Sequence, residues 1–249
     1  MKITKLQKVC LGTLAGSLFP LYFIIQSKIN NNIQPYVESH LAEIIKNQEE
    51  KLGIKHFGIP KISYHLPPGE SSWLTAGLYD QKKDEIYLPL GAAITPEKNF
   101  ENTAAVYLSF GSVHNVKETL DHELGHFYVD KLSESLGRVD WLDFSDHIPT
   151  DDKIGTKLIA EGIAEYFKKT INNGKDDFND SDFPKELKEF WTIDVIYHGG
   201  FHLVKPIIDR YGKKGIEHLI LIPPTIEDLH NLPAYQSKIF NSFKSTIKE

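Results

Sequence analysis

Cysteine is all but missing from this chain. Cys10 is the single one in 249 residues, and it stands inside an N-terminal apolar stretch. The rest of the sequence therefore has neither disulfides nor thiolate metal ligands, and any metal must be held by histidine and carboxylate. Methionine is equally scarce, with Met1 alone. Positive charge is in deficit: 28 Lys and Arg stand against 34 Asp and Glu, a formal net charge of -6, with no basic stripe. This argues against a nucleic-acid partner, because binding driven by counterion release needs Lys and Arg in local excess. There is no internal repeat, low-complexity tract or nucleotide-binding glycine loop. What is present, 41% hydrophobic and 25% charged residues, is the balance of a folded chain long enough to bury an active site.

The one long apolar run is at the start. Lys2, Lys5 and Lys8 precede an uncharged stretch from Val9 to Ile25, and positive charge on that side places the rest of the chain outside the cytoplasm. The run is short for a spanning helix and contains Pro20, and only Ala15-Gly16-Ser17 offers a weak cleavage site. Residues 1–30 are therefore expected to be a signal anchor in the membrane, or a signal peptide whose removal would leave a secreted protein. The localisation that follows is the cell envelope.

Residues 31–249 read as one domain in two halves, a sheet-containing half of about 54–136 and a helical half of about 137–249. Pro35 opens a helix that Gly53 stops. Between residues 61 and 90, short alternating runs at Ile62 to Leu66, Leu74 to Tyr79 and Glu85 to Leu88 predict a small mixed or antiparallel sheet, the last two forming a hairpin. Beyond Phe110 the pattern turns helical, with helices over Val113 to Leu136, Lys153 to Ile171, Pro184 to Phe190, Ile193 to Tyr211 with a kink at Pro206, Gly215 to Leu221 and Ala234 to Ile247. The stretch Asn102 to Ser109 fits strand and helix equally. The fold class is α+β.

The chemistry sits in His122-Glu123-Leu124-Gly125-His126. In a helix, positions i and i+4 share a face, so both imidazoles can reach one ion. Glu123 lies about 100° round the helix, too far to join them as a ligand but placed to take a proton from water that the metal activates. The alternative is a solvated helix face. A catalytic zinc site needs a third protein ligand, and the next helix offers Ala160-Glu161-Gly162-Ile163-Ala164-Glu165. Glu161 and Glu165 share a face in a largely apolar stretch, where carboxylates are costly unless paired or metal-bound. Glu161 as ligand, with Glu165 accepting from the other ring nitrogen of a ligand histidine, removes that cost. Two solvent-facing glutamates are the alternative.

These two segments resemble the paired helices of the gluzincin metallopeptidases, a peptidase MA-like group that includes thermolysin-like and aminopeptidase N-like enzymes. Glu161-Gly162-Ile163-Ala164 matches their Asn-Glu-Gly-x-Ala context with Ala160 in place of Asn, and Glu165 corresponds to a carboxylate found four residues after the ligand. The spacing from His126 to Glu161 departs from the best-known members, which use about half as many residues, so residues 137–152 would be an insertion. Tyr197-His198-Gly199-Gly200 resembles the Tyr-x-x-Gly helix of aminopeptidase N-like enzymes, which implies an oxyanion-stabilising hydroxyl at Tyr197, or at that place His198; a packing tyrosine is the alternative. Leu132 stands where a metzincin would carry a third histidine. The Gly-x-Met-Glu-Asn segment that holds a free amino terminus is missing, so the resemblance does not extend to an aminopeptidase. It implies a zincin-like fold with the active site between the two halves, and one catalytic Zn2+ on His122, His126 and Glu161. Catalysis would fall to Glu123 and Tyr197, acting on a peptide or protein substrate. It also implies that the strand Asp84 to Leu90 is the edge on which an extended peptide would pair, suiting an endopeptidase. Two other classes remain open: a zinc-containing membrane-anchored binding protein without peptidase activity, and a metal-free helical scaffold.

Overall fold

The structure, a computed structural model, describes residues 33–65, 77–88, 113–139, 141–142, 151–179 and 195–246. The N-terminal segment of residues 1–30, the stretch 102–109, the helix expected at 184–190 and most of the expected insertion at 137–152 lie outside the described residues. Among the described residues, no helix is long and apolar enough to cross a membrane.

The described chain is mainly helical with one small sheet. In order it runs α1 (Gln34–Leu52), β1 (Lys61–Ser63), β2 (Leu78–Asp80), β3 (Glu85–Tyr87), α2 (Val113–Ser135) and α3 (Asp151–Asn172). A π-helical turn (Val195–Gly199) follows, then α4 (Gly200–Tyr211), α5 (Lys213–Leu221), α6 (Ile226–Leu229) and α7 (Leu232–Thr246). By contacts it divides into two compact units. Of the described residues, one holds 33–41, 62–65, 77–78, 87–88 and 113–119, and the other holds 42–61, 79–86, 120–139, 141–142, 151–179 and 195–246.

The sheet has the order β1-β3-β2. Lys61 donates its N–H to Asp84 and Leu88 donates to Ser63, so β1 and β3 advance together and pair in parallel. The tight turn at residues 81–84, with Asp84 at φ 51, folds β3 back against β2 as the sequence expects. The sheet is therefore mixed. It also corrects the expected edge: β3 is central among the described strands and buried at all three residues. β2, at the edge, is half-buried.

In the second unit, α2 shows why its residues form a helix and which way it faces. Leu120, Leu124, Tyr128 and Leu132 recur every fourth position and are all at most 1% exposed. This stripe turns His122 and His126 onto a neighbouring face. Gly137 ends the helix at φ 76, its N–H bonding Glu134 while Arg138 bonds Ser133, the paired bonds of a Schellman stop. α3 buries Leu158, Ile159, Ile163 and Phe167, and stops at Asn173 rather than Gly174: Asn173 takes the left-handed position at φ 55, and Gly174 N–H bonds Lys169. Phe201, Val204 and Ile207 of α4, Ile216 and Leu219 of α5, and Tyr235 and Ile239 of α7 complete this core. Each such side chain contributes roughly 1.5–3 kcal/mol.

Two further differences from the sequence reading lie here. The departure from α-helix within 193–211 falls at the π turn of 195–199, not at Pro206, which sits inside α4. The short helix α6 is not anticipated, although its signal is present in Thr225 and Asp228, which cap each other's main-chain N–H groups.

Candidate metal centre

Three glycines set how closely the helices of the second unit approach, and the centre depends on them. A methyl group at Gly125 would stand 2.7 Å from the Cα of Ala164, so α2 and α3 meet backbone to backbone at this level. A methyl at Gly162 would stand 2.3 Å from the carbonyl oxygen of Gly200, and one at Gly200 2.6 Å from that of Leu158. The first contact lies beside His126, and the second is one residue from Glu161. Close approach at these two points brings side chains from α2, α3 and the π turn to one place.

There the Nε2 atoms of His122 and His126 lie 3.1 Å apart. Oε2 of Glu161 lies 3.3 Å from the first and 3.2 Å from the second. Four-coordinate zinc with bonds near 2.1 Å places neighbouring ligand atoms about 3.4 Å apart, so this triangle is close to the dimensions of three corners of a tetrahedral site. Glu161 Oε2 is buried and accepts no hydrogen bond of acceptable geometry. A buried carboxylate oxygen without a donor is costly, and a divalent cation among the three atoms removes that cost. The His122, His126 and Glu161 group could hold a metal ion. Its two imidazoles and one carboxylate form a donor set that suits zinc and comparable divalent ions.

The neighbours of the triad hold it in place. His122 Nδ1 lies 3.2 Å from Glu165 Oε1, so Glu165 faces the ring nitrogen opposite the metal side, where the sequence reading expects it. Each of the two glutamates also carries a lysine from the same helix. Lys157 Nζ is 3.1 Å from Glu161 Oε1, and Lys168 Nζ is 2.6 Å from Glu165 Oε1. Burial alone would lower the His122 imidazole, but the carboxylates of Glu161 and Glu165 outweigh it and raise it to about 10. Burial opposes ionisation of Glu161, yet His126, His122 and Lys157 hold it well below the usual carboxylate range. Glu165 is lowered to about 2, His122 and Lys168 overcoming its burial.

Glu123 is buried beside the triad and is not one of its corners. Burial raises its pKa, His122 and His126 partly offsetting the effect. The main-chain N–H of Tyr79 on β2 also acts to lower it. The Tyr79 side chain is itself anchored, its hydroxyl 2.7 Å from Asp130 Oδ2 on α2 and 3.0 Å from Asp84 Oδ1. Lys131 closes this group with contacts of 2.6 Å to Asp84 and 3.0 Å to Glu134.

No family model, curated protein or solved structure matches the chain.

Tyr197 stacks on the ring of His122, with centroids 5.4 Å apart and planes at 28°. The nearby Glu161 carboxylate, then burial, then Glu123 and Glu165 push its hydroxyl pKa up, which keeps it a neutral donor. The π turn carries one more residue per turn than an α-helix, and this turn presents Tyr197. His198, the other donor weighed from the sequence, instead pairs with Lys169 Nζ at 3.2 Å and Asp177 at 3.7 Å. The sequence reading misses the parts played by Lys157, Lys168 and Tyr79 and by the three glycines Gly125, Gly162 and Gly200. The lysines carry the only local signal, standing at i-4 from Glu161 and i+3 from Glu165.

Proposed function

We propose that this chain is a zinc-dependent peptidase of the gluzincin type, hydrolysing peptide bonds outside the cytoplasm, with residues 1–30 serving as its membrane anchor or export signal. The observation that carries the reading is the position of Glu123, buried against the His122, His126 and Glu161 triad without being part of it. A metal site with a purely structural task gains nothing from such a carboxylate.

A zinc ion held by the triad would polarise a carbonyl and acidify water. Glu123 would accept a proton from the attacking water and deliver it to the leaving amine. The Tyr197 hydroxyl would donate to the oxygen on which negative charge develops, and Glu165 would keep His122 oriented. Tyr79 and Asp80 lie on β2, the outer strand next to Glu123, and an extended peptide added there would pass the base with its main chain paired. That arrangement suits an endopeptidase.

The test is digestion of a peptide library with and without chelator, followed by mass spectrometry of the new termini. Cleavage should stop with chelator and return with zinc. Glu123→Gln should keep one equivalent of metal while turnover falls roughly 10²–10⁴-fold, the usual contribution of a general base. A Gln variant as active as the wild type would refute the role of Glu123. Metal uptake with no cleavage of any peptide would favour the metal-containing binding protein instead.

A further inference from the structure

The two oxygens of Glu161 have different fates. Oε2 faces both imidazoles and accepts no hydrogen bond, whereas Oε1 is 3.1 Å from Lys157 Nζ. Lys157 is one turn earlier on α3, at i-4, and its side chain is 25% exposed while it reaches the buried carboxylate. A carboxylate can meet a metal through one oxygen or through both. With one, three protein atoms and a water or substrate atom make the ion four-coordinate; with both, a fourth protein atom joins beside that water and makes it five-coordinate.

We infer that Lys157 is a positioning residue that holds Glu161 to a single metal contact by occupying its second oxygen. The inference rests on the reading of the metal centre given above. Lys157 neither reaches the ring nitrogens nor takes part in proton transfer. Its ammonium also draws charge from the carboxylate, leaving Glu161 a weaker donor and the ion a stronger Lewis acid. Lys168 stands in a matching relation to Glu165, whose Oε1 it shares with His122 Nδ1. α3 thus carries a lysine for each glutamate, and only the one at Lys157 controls how many oxygens face the metal.

The distinguishing readout is coordination number, which activity alone does not report. In the full chain loaded with cobalt, four-coordinate Co2+ absorbs visible light much more strongly than five-coordinate Co2+. The wild type should give the intense spectrum. Lys157→Met keeps the length and the apolar stem but releases Oε1, so it should bind one cobalt, lose most of the visible intensity and fall at least about tenfold in peptide turnover. Lys157→Arg, which can still hold Oε1, should keep the wild-type spectrum. Lys157→Gln, checked for helicity by circular dichroism, should lie between them and guards against a folding defect in the Met variant. A Met variant with one cobalt and the wild-type spectrum overturns the role of Lys157 and leaves the metal centre standing. A wild-type chain that takes up no cobalt overturns the metal centre itself, and Lys157 with it.

Discussion

Gly125→Ala adds one carbon at the point where the two helices that carry the candidate metal ligands meet. Its Cβ would lie 2.7 Å from the Cα of Ala164 and 3.3 Å from its Cβ. Carbon atoms without a bond between them prefer about 3.5–4.0 Å, so α2 and α3 must separate by roughly 1 Å at this level. The obstacle is a backbone atom, which no side-chain rotation can relieve. Moving Glu161 with α3 would stretch its contacts to the histidine Nε2 atoms, now 3.2 and 3.3 Å, to about 4 Å, beyond what a tetrahedral ion spans. Two effects oppose each other in stability. Alanine gains up to about 1 kcal/mol over glycine in a helix, while overpacking costs about 1–3 kcal/mol. The net change in the metal-free protein should be a loss of no more than about 2 kcal/mol. The loss in metal binding should be larger in proportion, at least the 10–100-fold typical of disturbed ligand support. Competition with a chromophoric chelator measures the affinity, and melting with and without zinc measures the linked stability. A variant that binds zinc as tightly as the wild type and melts higher would refute the claim that this close approach sets the triangle.

Three other outcomes are expected. Tyr197→Phe should leave zinc affinity unchanged and reduce turnover by about 10²–10³, because it removes a donor and no ligand; steady-state kinetics with metal analysis checks this. Glu165→Ala should weaken zinc binding about 10–100-fold by releasing the far side of the His122 ring, with Lys168 left unpaired, and equilibrium dialysis would report it. Burial lowers His56 from 6.5 to about 4, Glu49 partly opposing, with its Nε2 2.9 Å from Gln48 Oε1. Its folded value is depressed, so the unfolded chain binds the extra proton between the two values. The stabilisation is complete above about pH 6.5 and falls away as pH drops through about 4, a total of about 3 kcal/mol. Urea unfolding at pH 7 and pH 4 should show His56→Gln losing much less stability than the wild type, and equal losses would exclude this cause.

What the sequence discloses of this site is what a single helix can encode. His122 and His126 are legible because the i, i+4 rule needs no tertiary information. Glu161 and Glu165 stand out because charge inside Leu158 to Phe167 demands a partner. Gly137 and Asn173 mark their helix ends by local backbone conformation. The strand order is different in kind. β3 becomes central through pairing with residues 61–63, more than twenty positions away, and alternation within Glu85 to Leu88 carries no trace of that neighbour. Gly125 and Gly162 look like poor helix formers until the atoms facing them are known. Tyr79 shows only a strand residue, because it is the main-chain N–H that bears on Glu123, lowering its pKa. Lys157 and Lys168 are hidden by the ordinary habit of lysine to face water.

The lysines and the glycines solve two sides of one problem. His122, Glu123, Glu161 and Glu165 are all at most 7% exposed, and burying unpaired carboxylates costs several kcal/mol each. Small residues permit the backbone approach that places the four groups together, but the same approach excludes the water that would solvate them. Lys157 and Lys168 return positive charge from the rim without entering the triangle, one to each glutamate of α3. Glu123 has no lysine and relies on the Tyr79 N–H and the two histidines. It is therefore the carboxylate least firmly held as an anion, and the one to which the proposed mechanism gives proton exchange. In the proposed mechanism neutralisation is thus distributed by role: full for Glu161, the metal ligand, and for Glu165, which orients a ring, and partial for Glu123, the base.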